Sequence, residues 1–468
     1  MFPVAIRTVG CKLNQVESEA LADAFRKAGF AVVSRDAGIE GPGIVIVNTC
    51  TVTSKADQKT RMLIRKALRG NPGSCVIVTG CYAKLDPGDL EAIEAGCVPE
   101  GSGERRLFVP RGGEGGAGAA KGALLGLPGY IREAARFGID LPGIIEGWMS
   151  RRDGGEADPF AFRPEEFAFH SRGYLKVQDG CDNRCSYCRV RLARGPAVSL
   201  PADIALARLR SLEEKGHAEV TIAGVNIAQY RHSGLDLARL LELLLEGSEA
   251  IALRLSSLEP EGVTGRLVSV LAHPRVRPHF HLSVQSGSDG VLRGMGRVYD
   301  SRGVREAVAL LRSAKDDPFL ACDMIAGFPS ESENDFDLTL ALCREIGFAW
   351  IHSFPYSPRP GTPAFSLGDH VREPEVRRRA DVLTKLARQG RLDYVQAWLG
   401  REVLAVVERA RPGERQCRAV SENYLKLAVN CAGEVPPPGS ALRCVLAAAC
   451  PGGGGEAIDA VAEEVAGR

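Results

Sequence analysis

Short apolar runs alternate with amphipathic stretches through the first hundred residues. Val4–Val9, Ile44–Asn48 and Val76–Thr79 are continuously apolar or nearly so, the mark of strands covered on both faces of a sheet. Between them, Ser18–Ala28 and Ala56–Arg69 carry apolar residues at helical spacing. This alternation predicts a parallel, doubly wound α/β sheet. It returns from Phe167 to Gln396, with strands at Gly173–Val177, Glu219–Ala223, Ala252–Ser256, Phe280–Val284, Phe319–Ile325 and Trp350–Phe354. The intervening helices are Ala202–Lys215, Leu235–Leu245, Val263–Ala272, Ser301–Ala314 and Asn334–Ile346. Six such units predict an open, six-stranded (β/α) partial barrel with its chemistry at the C-terminal strand ends.

Two stretches break the alternation. Gly101–Gly122 is rich in glycine and poor in core formers, so it reads as flexible linker, followed by a short helix at Tyr130–Phe137. After a charged helix at Arg372–Gln396 the period shortens. Arg401–Glu408, Cys417–Val420, Leu425–Val429 and Ala441–Ala449 read as short strands, with a turn at Pro436–Gly439. That pattern predicts a small antiparallel β-barrel, a fold that often binds nucleic acid. Gly452–Arg468 reads as a loose end. The expected domains are 1–100, a linker or insertion at 101–166, 167–396 and 397–468.

Length changes this picture little, since 468 residues fit about three domains. No apolar run reaches the roughly 18 residues of a membrane span, and the first residues lack a signal-peptide pattern. A cytoplasmic location without membrane contact is expected. A net charge of +1 excludes a global electrostatic pull on nucleic acid, leaving RNA contact to local patches. Between Leu399 and Cys450 the balance is seven Lys and Arg against five Asp and Glu, a weak signal. Arg377, Arg378 and Arg379 suit a solvated helix face at least as well as an RNA contact.

Fourteen cysteines in a cytoplasmic chain point to metal or catalytic use rather than disulfides. Cys181, Cys185 and Cys188 form a CxxxCxxC run directly after an apolar strand. Cubane iron–sulfur clusters take cysteine thiolates, normally four. Three with no fourth nearby leave one iron open to a substrate or cofactor, whereas a structural zinc site needs a further Cys or His pair at short spacing. Cys11, Cys50 and Cys81 each end one of the three N-terminal strands. In an open parallel sheet those ends form the ligand crevice, so the three are candidates for a second cluster, against the alternative of buried apolar thiols. Cys75, Cys97 and the four cysteines after Leu399 read as structural. Polar and glycine clusters follow the later strands, at Ala223–Tyr230, Ser256–Pro260, Ser283–Asp289, Asp323–Pro329 and Ser353–Thr362. Asn226, Glu259 and Gln285 offer fixed hydrogen bonds there, and glycine allows close backbone approach to a cofactor.

YLKVQDGCDNRCSYC followed by Ala193–Gly195 resembles the radical S-adenosylmethionine (SAM) methylthiotransferase family. TVGCKLNQVESE (Thr8–Glu19), VNTCTVTSKAD (Val47–Asp57) and TGCYA (Thr79–Ala83) resemble the cysteine blocks of its N-terminal domain. The resemblance runs from Val4 to about Ala449. It implies two 4Fe–4S clusters, one on Cys181, Cys185 and Cys188 that binds SAM, and an auxiliary one on Cys11, Cys50 and Cys81 that takes part in sulfur transfer. It also implies that Tyr187 meets the adenine of SAM, with Gly224, Asn226, Ser257, Gln285 and Arg297 around that cofactor. Lys12, Asn14 and Gln15 resemble the subgroup acting on C2 of N6-threonylcarbamoyladenosine beside the tRNA anticodon. The tail resembles the RNA-binding TRAM module. Implied partners are the anticodon stem-loop of tRNA, a flavodoxin- or ferredoxin-type electron donor and a sulfur donor system.

Alternatives are methylthiotransfer to isopentenyladenosine or to a ribosomal-protein aspartate, and an iron–sulfur RNA-binding protein without catalysis. One departure stands out. Where the family has an apolar residue and then proline after the cysteines, this chain has Arg189, Val190, Arg191 and Leu192. Those arginines suit either RNA phosphates or a solvated loop.

Overall fold

The computed structural model describes residues 2–33, 43–70, 73–97, 106–110, 121–150, 158–409, 415–450 and 458–465. The chain divides into two compact units. Met1–Phe169, Lys176–Asn183 and Cys188–Leu200 make the first; His170–Leu175, Arg184–Tyr187 and Pro201–Arg468 make the second.

In the first unit β1 (Val4–Thr8), β2 (Val32–Val33), β3 (Ile44–Thr49), β4 (Cys75–Gly80) and β5 (Leu107–Phe108) form a parallel sheet ordered β2-β1-β3-β4-β5. Successive side chains of a strand point to opposite faces, and both faces here are covered. Ile44 and Ile46 pack with Leu21 and Phe25 of the helix Lys12–Lys27. Val45 and Val47 pack with Ile64 and Leu68 of the helix Ser54–Gly70 and with Leu90 and Ile93 of the helix Pro87–Ala95. Hence the strands are apolar throughout instead of alternating.

The stretch after β5 departs from the linker reading. Where one helix at Tyr130–Phe137 was expected, helices Leu127–Ala134 and Leu141–Met149 place Leu127, Ile131, Ile144 and Ile145 in the core beside β1 and β3. Residues 101–105 and 111–120, most of the glycine-rich run read as flexible, lie outside the described residues.

The chain continues through β6 (Gly173–Lys176), β7 (Gln178–Asp179) and β8 (Val198–Ser199). Strands β7 and β8 pair antiparallel within the first unit.

In the second unit β9 (Glu219–Ala223) and β10 (Ala252–Leu255) join β6 in a sheet ordered β10-β9-β6. β11 (His279–Gln285), β12 (Phe319–Ala326) and β13 (Trp350–Pro355) form another, ordered β11-β12-β13, also parallel. Among the described residues, backbone pairing between the two sheets is limited to single parallel bridges, Leu253 to Val276 and Leu258 to Leu282. The expected six-stranded, open (β/α) partial barrel is therefore present, with a seam after β10.

β14 (Glu402–Arg409), β15 (Gln416–Ser421), β16 (Lys426–Asn430), β17 (Ala441–Ala449) and β18 (Ala460–Glu464) close a small barrel ordered β14-β15-β16-β18-β17. The tail beyond Gly452 is thus not wholly a loose end. Its β18 pairs antiparallel with β17 and parallel with β16, burying Ala460 and Ala462 in the barrel core; residues 452–457 and 466–468 lie outside the described residues. That core extends into Tyr394, Val395 and Trp398 of the helix Glu373–Trp398 and to Phe319 and Ala321 of β12. Among the described residues no helix is long and apolar enough to cross a membrane.

Candidate functional site

Two glycines shape the first cysteine group. Gly10 and Gly80 both have φ of +107°, a conformation open to glycine at little cost. A Cβ on Gly10 would lie 2.3 Å from the Cβ of Cys50, and one on Gly80 would lie 2.4 Å from the carbonyl oxygen of Thr49. The chain therefore turns sharply at the ends of β1 and β4. Cys11 then stands at the N-terminus of the helix Lys12–Lys27, Cys50 directly after β3, and Cys81 at the first position of the helix Cys81–Leu85.

Asn14 pins this arrangement, donating to the carbonyl oxygens of Val9 at 2.7 Å and Thr49 at 3.0 Å. Burial, then the neighbouring Cys11 and Cys81, push the Cys50 thiol up to about 12. Thiolates that act on one another in this way repel, and a cation shared among them would remove that repulsion. Three thiols are the donor type an iron–sulfur cluster takes; among the described residues no three or more His, Cys, Asp or Glu side chains are arranged to hold a single metal ion.

A buried ionic network lies beside them. Glu17 accepts from Lys121 (2.5 Å), Lys176 (3.2 Å) and Arg194 (3.0 and 3.2 Å). Asp179 accepts from Lys176 (2.6 Å) and Arg194 (2.9 and 3.0 Å). The Oδ1 of Asn14 accepts from Lys121 and Arg194, each at 2.9 Å. All five charged groups are buried. Burial alone would raise both carboxyl groups; Arg194 foremost, with Lys121 and Lys176 at Glu17 and Lys176 at Asp179, instead holds them below their usual range. None of these five was singled out from sequence, although Asn14 and Glu17 lie three residues apart on one helix and so share a face.

The CxxxCxxC loop begins at a third constrained glycine. Gly180 has φ of +66°, and a Cβ there would lie 1.8 Å from the carbonyl oxygen of Pro196. The N–H of Cys181 donates to the carbonyl oxygen of Gly195 at 3.1 Å, and that of Val190 to the Sγ of Cys188 at 3.4 Å. In the second unit, Arg297 donates to the Sγ of Cys185 at 3.0 Å. It also pairs with Glu259 and donates to Tyr299 at 2.8 Å. Burial works against its charge, but Tyr187, Tyr299 and Cys185 hold the guanidinium pKa above its ordinary value. Tyr187, partly buried, packs against the cluster of Val291, Met295, Ile325, Phe328 and Ala364.

The remaining sequence candidates of this unit fall at C-terminal strand ends. Gly224 and Asn226 follow β9, with Asn226 buried at the start of the turn Ile227–Gln229. Ser257 follows β10, and Gln285 ends β11 beyond a register shift, in the left-handed region at φ +71°. A non-glycine residue held there is a strained position of the kind that clusters at ligand sites.

A polar layer lies further back along the strands, and of its members only Asp323 falls in a cluster read from sequence. His281 hydrogen-bonds Asp323 at 2.8 Å, and its ring stacks on that of His352 at 5.0 Å. It escaped notice because its members come from three strands whose register a sequence does not reveal.

The arginines that depart from the family pattern separate. Arg189 is buried, donating to Asp86 at 2.9 and 3.1 Å and to Thr51 at 3.3 Å. Neither the RNA-phosphate nor the solvated-loop reading suits it. Arg191 is half-exposed and donates to the carbonyl oxygen of Asp182 at 2.8 Å. Arg379 is buried among Glu331, Glu333 and Glu375, while Arg377 and Arg378 pair with glutamates at the surface.

Residues 3–99 match the Uncharacterized protein family UPF0004 and residues 175–343 the Radical SAM superfamily. The chain is 41% identical to a threonylcarbamoyladenosine tRNA methylthiotransferase MtaB of Treponema pallidum, across 92% of this chain and 95% of that protein. It is 34% identical to the protein of the same name from Thermotoga maritima, across 87% of each. Among solved structures, the radical S-adenosylmethionine methyltransferase TsrM of Kitasatospora setae superposes with a TM-score of 0.50 at 16% identity, covering 78% of this chain and 77% of that one. This last likeness is one of fold.

Proposed function

The chain belongs to the radical SAM methylthiotransferases that act on threonylcarbamoyladenosine in tRNA, and from that premise we propose how its residues divide the work. It is a transferase, its substrate is tRNA, and its family uses SAM and two 4Fe–4S clusters. The site of modification is C2 of the base beside the anticodon, reached in the anticodon stem-loop.

Cys181, Cys185 and Cys188 hold the cluster that binds SAM; Cys11, Cys50 and Cys81 hold the auxiliary one. When bound, the first would supply one-electron chemistry toward SAM and the second sulfur chemistry. The chain's own part is to hold and orient. Tyr187 offers a ring to the adenine, and Gly224 admits the cofactor close to the backbone. Asn226, Ser257 and Gln285 fix its polar groups from three neighbouring strand ends. Arg297 sets the orientation and charge of Cys185. The C-terminal barrel, like a TRAM module, serves RNA contact. An electron donor of the flavodoxin or ferredoxin class and a sulfur donor complete the reaction.

The observation that carries this reading is the 41% identity spanning 92% of the chain, with cysteines after the neighbouring strands β1, β3 and β4. The test is nucleoside mass spectrometry of total tRNA from a host lacking the 2-methylthio modification, with and without this chain. Appearance of 2-methylthio-N6-threonylcarbamoyladenosine supports it. Methylthiolated isopentenyladenosine in its place transfers the assignment to the sister activity. Loaded clusters with neither nucleoside turn it toward ribosomal protein. RNA binding without any 5′-deoxyadenosine in the reduced protein leaves a non-catalytic binder.

A further inference from the structure

Among the described residues, the network around Glu17 and Arg194 has one cation in excess: Lys121, Lys176 and Arg194 against Glu17 and Asp179. Buried ionic clusters seldom add stability over apolar packing, so its retention calls for another account. Its placement provides one. Asn14, which accepts from two of the cations, sits in the first turn of the helix that Cys11 begins. Ala193, next to Arg194, packs directly on Cys81. Lys176 and Asp179 precede Cys181 by five and two residues.

We propose that this network is a fixed positive charge that tunes the auxiliary cysteine site, with Arg194 and Lys121 as positioning residues that stabilise an added electron on whatever metal cluster Cys11, Cys50 and Cys81 hold. The proposal rests on the assignment of those cysteines made above. A buried charge acts at low effective dielectric and is little screened by salt, and protein charges close to a cluster set its potential. Lys121 comes from the stretch between β5 and β6, so that stretch has a purpose beyond connection: it delivers the excess cation.

A one-electron reductant such as dithionite, followed through mediators, gives one electron to the cluster, and the protein charge stays fixed. The neutral variant Lys121→Met removes the excess cation and leaves Arg194 and Lys176 balanced against Glu17 and Asp179, so the fold retains a compensated network. Glu17→Gln removes an anion and raises the net positive charge.

Both are made in a full-length parent carrying Cys181→Ala, Cys185→Ala and Cys188→Ala, which keeps only the auxiliary site. Iron content and midpoint potential are the readouts. Lys121→Met is expected to disfavour reduction about tenfold, about 59 mV to the negative for one electron, and Glu17→Gln to shift it the opposite way. Arg194→Lys keeps the charge and is expected to stay near the parent. A merely structural network gives no sign reversal. Iron-loaded variants with equal potentials, or shifts of the same sign, overturn the proposal alone. A parent that binds no iron overturns the cysteine assignment and the proposal with it.

Discussion

Arg297 lies 3.0 Å from the Sγ of Cys185 and is tied in turn to Glu259 and Tyr299. A guanidinium on a ligating sulfur lowers the electron density that sulfur gives to iron and fixes its direction. Arg297→Ala is therefore expected to lower SAM cleavage about 10- to 100-fold, the usual cost of losing such a partner. Arg297→Lys keeps charge without the fork and should fall between. The assay is 5′-deoxyadenosine formed by the reduced, reconstituted protein. Wild-type cleavage by Arg297→Ala at equal iron content would remove Arg297 from the site.

Two separate cysteine groups imply two separable losses. Cys50→Ala is expected to retain 5′-deoxyadenosine formation and lose methylthiolated product. Cys181→Ala should lose both. Iron per chain should fall by about half in each, one cluster of two. Should Cys50→Ala still methylthiolate tRNA, the auxiliary role of the strand-end cysteines is wrong.

Much of this was legible because the relevant physics is local. A doubly covered strand must be apolar on both faces, so β1, β3 and β4 announced themselves, and the cysteines at their ends followed by position. β2 and β5 are two residues each, too short for any period to register. β18 was hidden for another reason: its inward residues Ala460 and Ala462 are small, and it follows a glycine run, so little distinguishes it from coil. Lys121 could not be found at all, because nothing in a glycine-rich neighbourhood signals a lysine with zero exposure. Arg189 was misread since a charged residue after a ligand loop ordinarily meets solvent. Its partner Asp86 lies 103 residues away.

The turn before Cys81 gives a stability prediction with an internal control. Gly80 has φ of +107°, and any Cβ would meet Thr49 backbone atoms at 2.4 and 2.7 Å. Backbone strain of this kind costs about 1–3 kcal/mol, and the clash adds to it. Gly80→Ala is expected to lose at least about 2 kcal/mol in urea unfolding and most of the auxiliary iron. Gly88, whose added Cβ meets nothing within 4 Å, should accept alanine with no loss. Equal behaviour of the two variants would show that the turn is not what holds Cys81 in place.

Glu219 gives the pH prediction. It accepts from Arg254 at 2.6 and 3.0 Å and Arg277 at 2.9 Å, with Arg172 at 3.6 Å. Arg254 also donates to the carbonyl oxygen of Ser421, and Arg277 pairs with Glu422, so one carboxylate anchors the C-terminal barrel to β9 and β10. Burial would raise its pKa, but the three arginines lower it from 4.5 to about 2. A depressed carboxylate stabilises the fold fully above the unfolded value of 4.5 and loses that contribution as pH falls toward about 2. The difference corresponds to stability on the order of 3 kcal/mol at neutral pH. Glu219→Gln should be less stable by about that amount at pH 7, since buried Arg254 and Arg277 and the partly buried Arg172 lose their counter-charge. Its stability should also decline less steeply than wild type between pH 5 and pH 3, because the titrating group is gone. Urea midpoints at several pH values measure both effects. Parallel curves for the two proteins would mean that Glu219 does not carry the acid sensitivity of this junction.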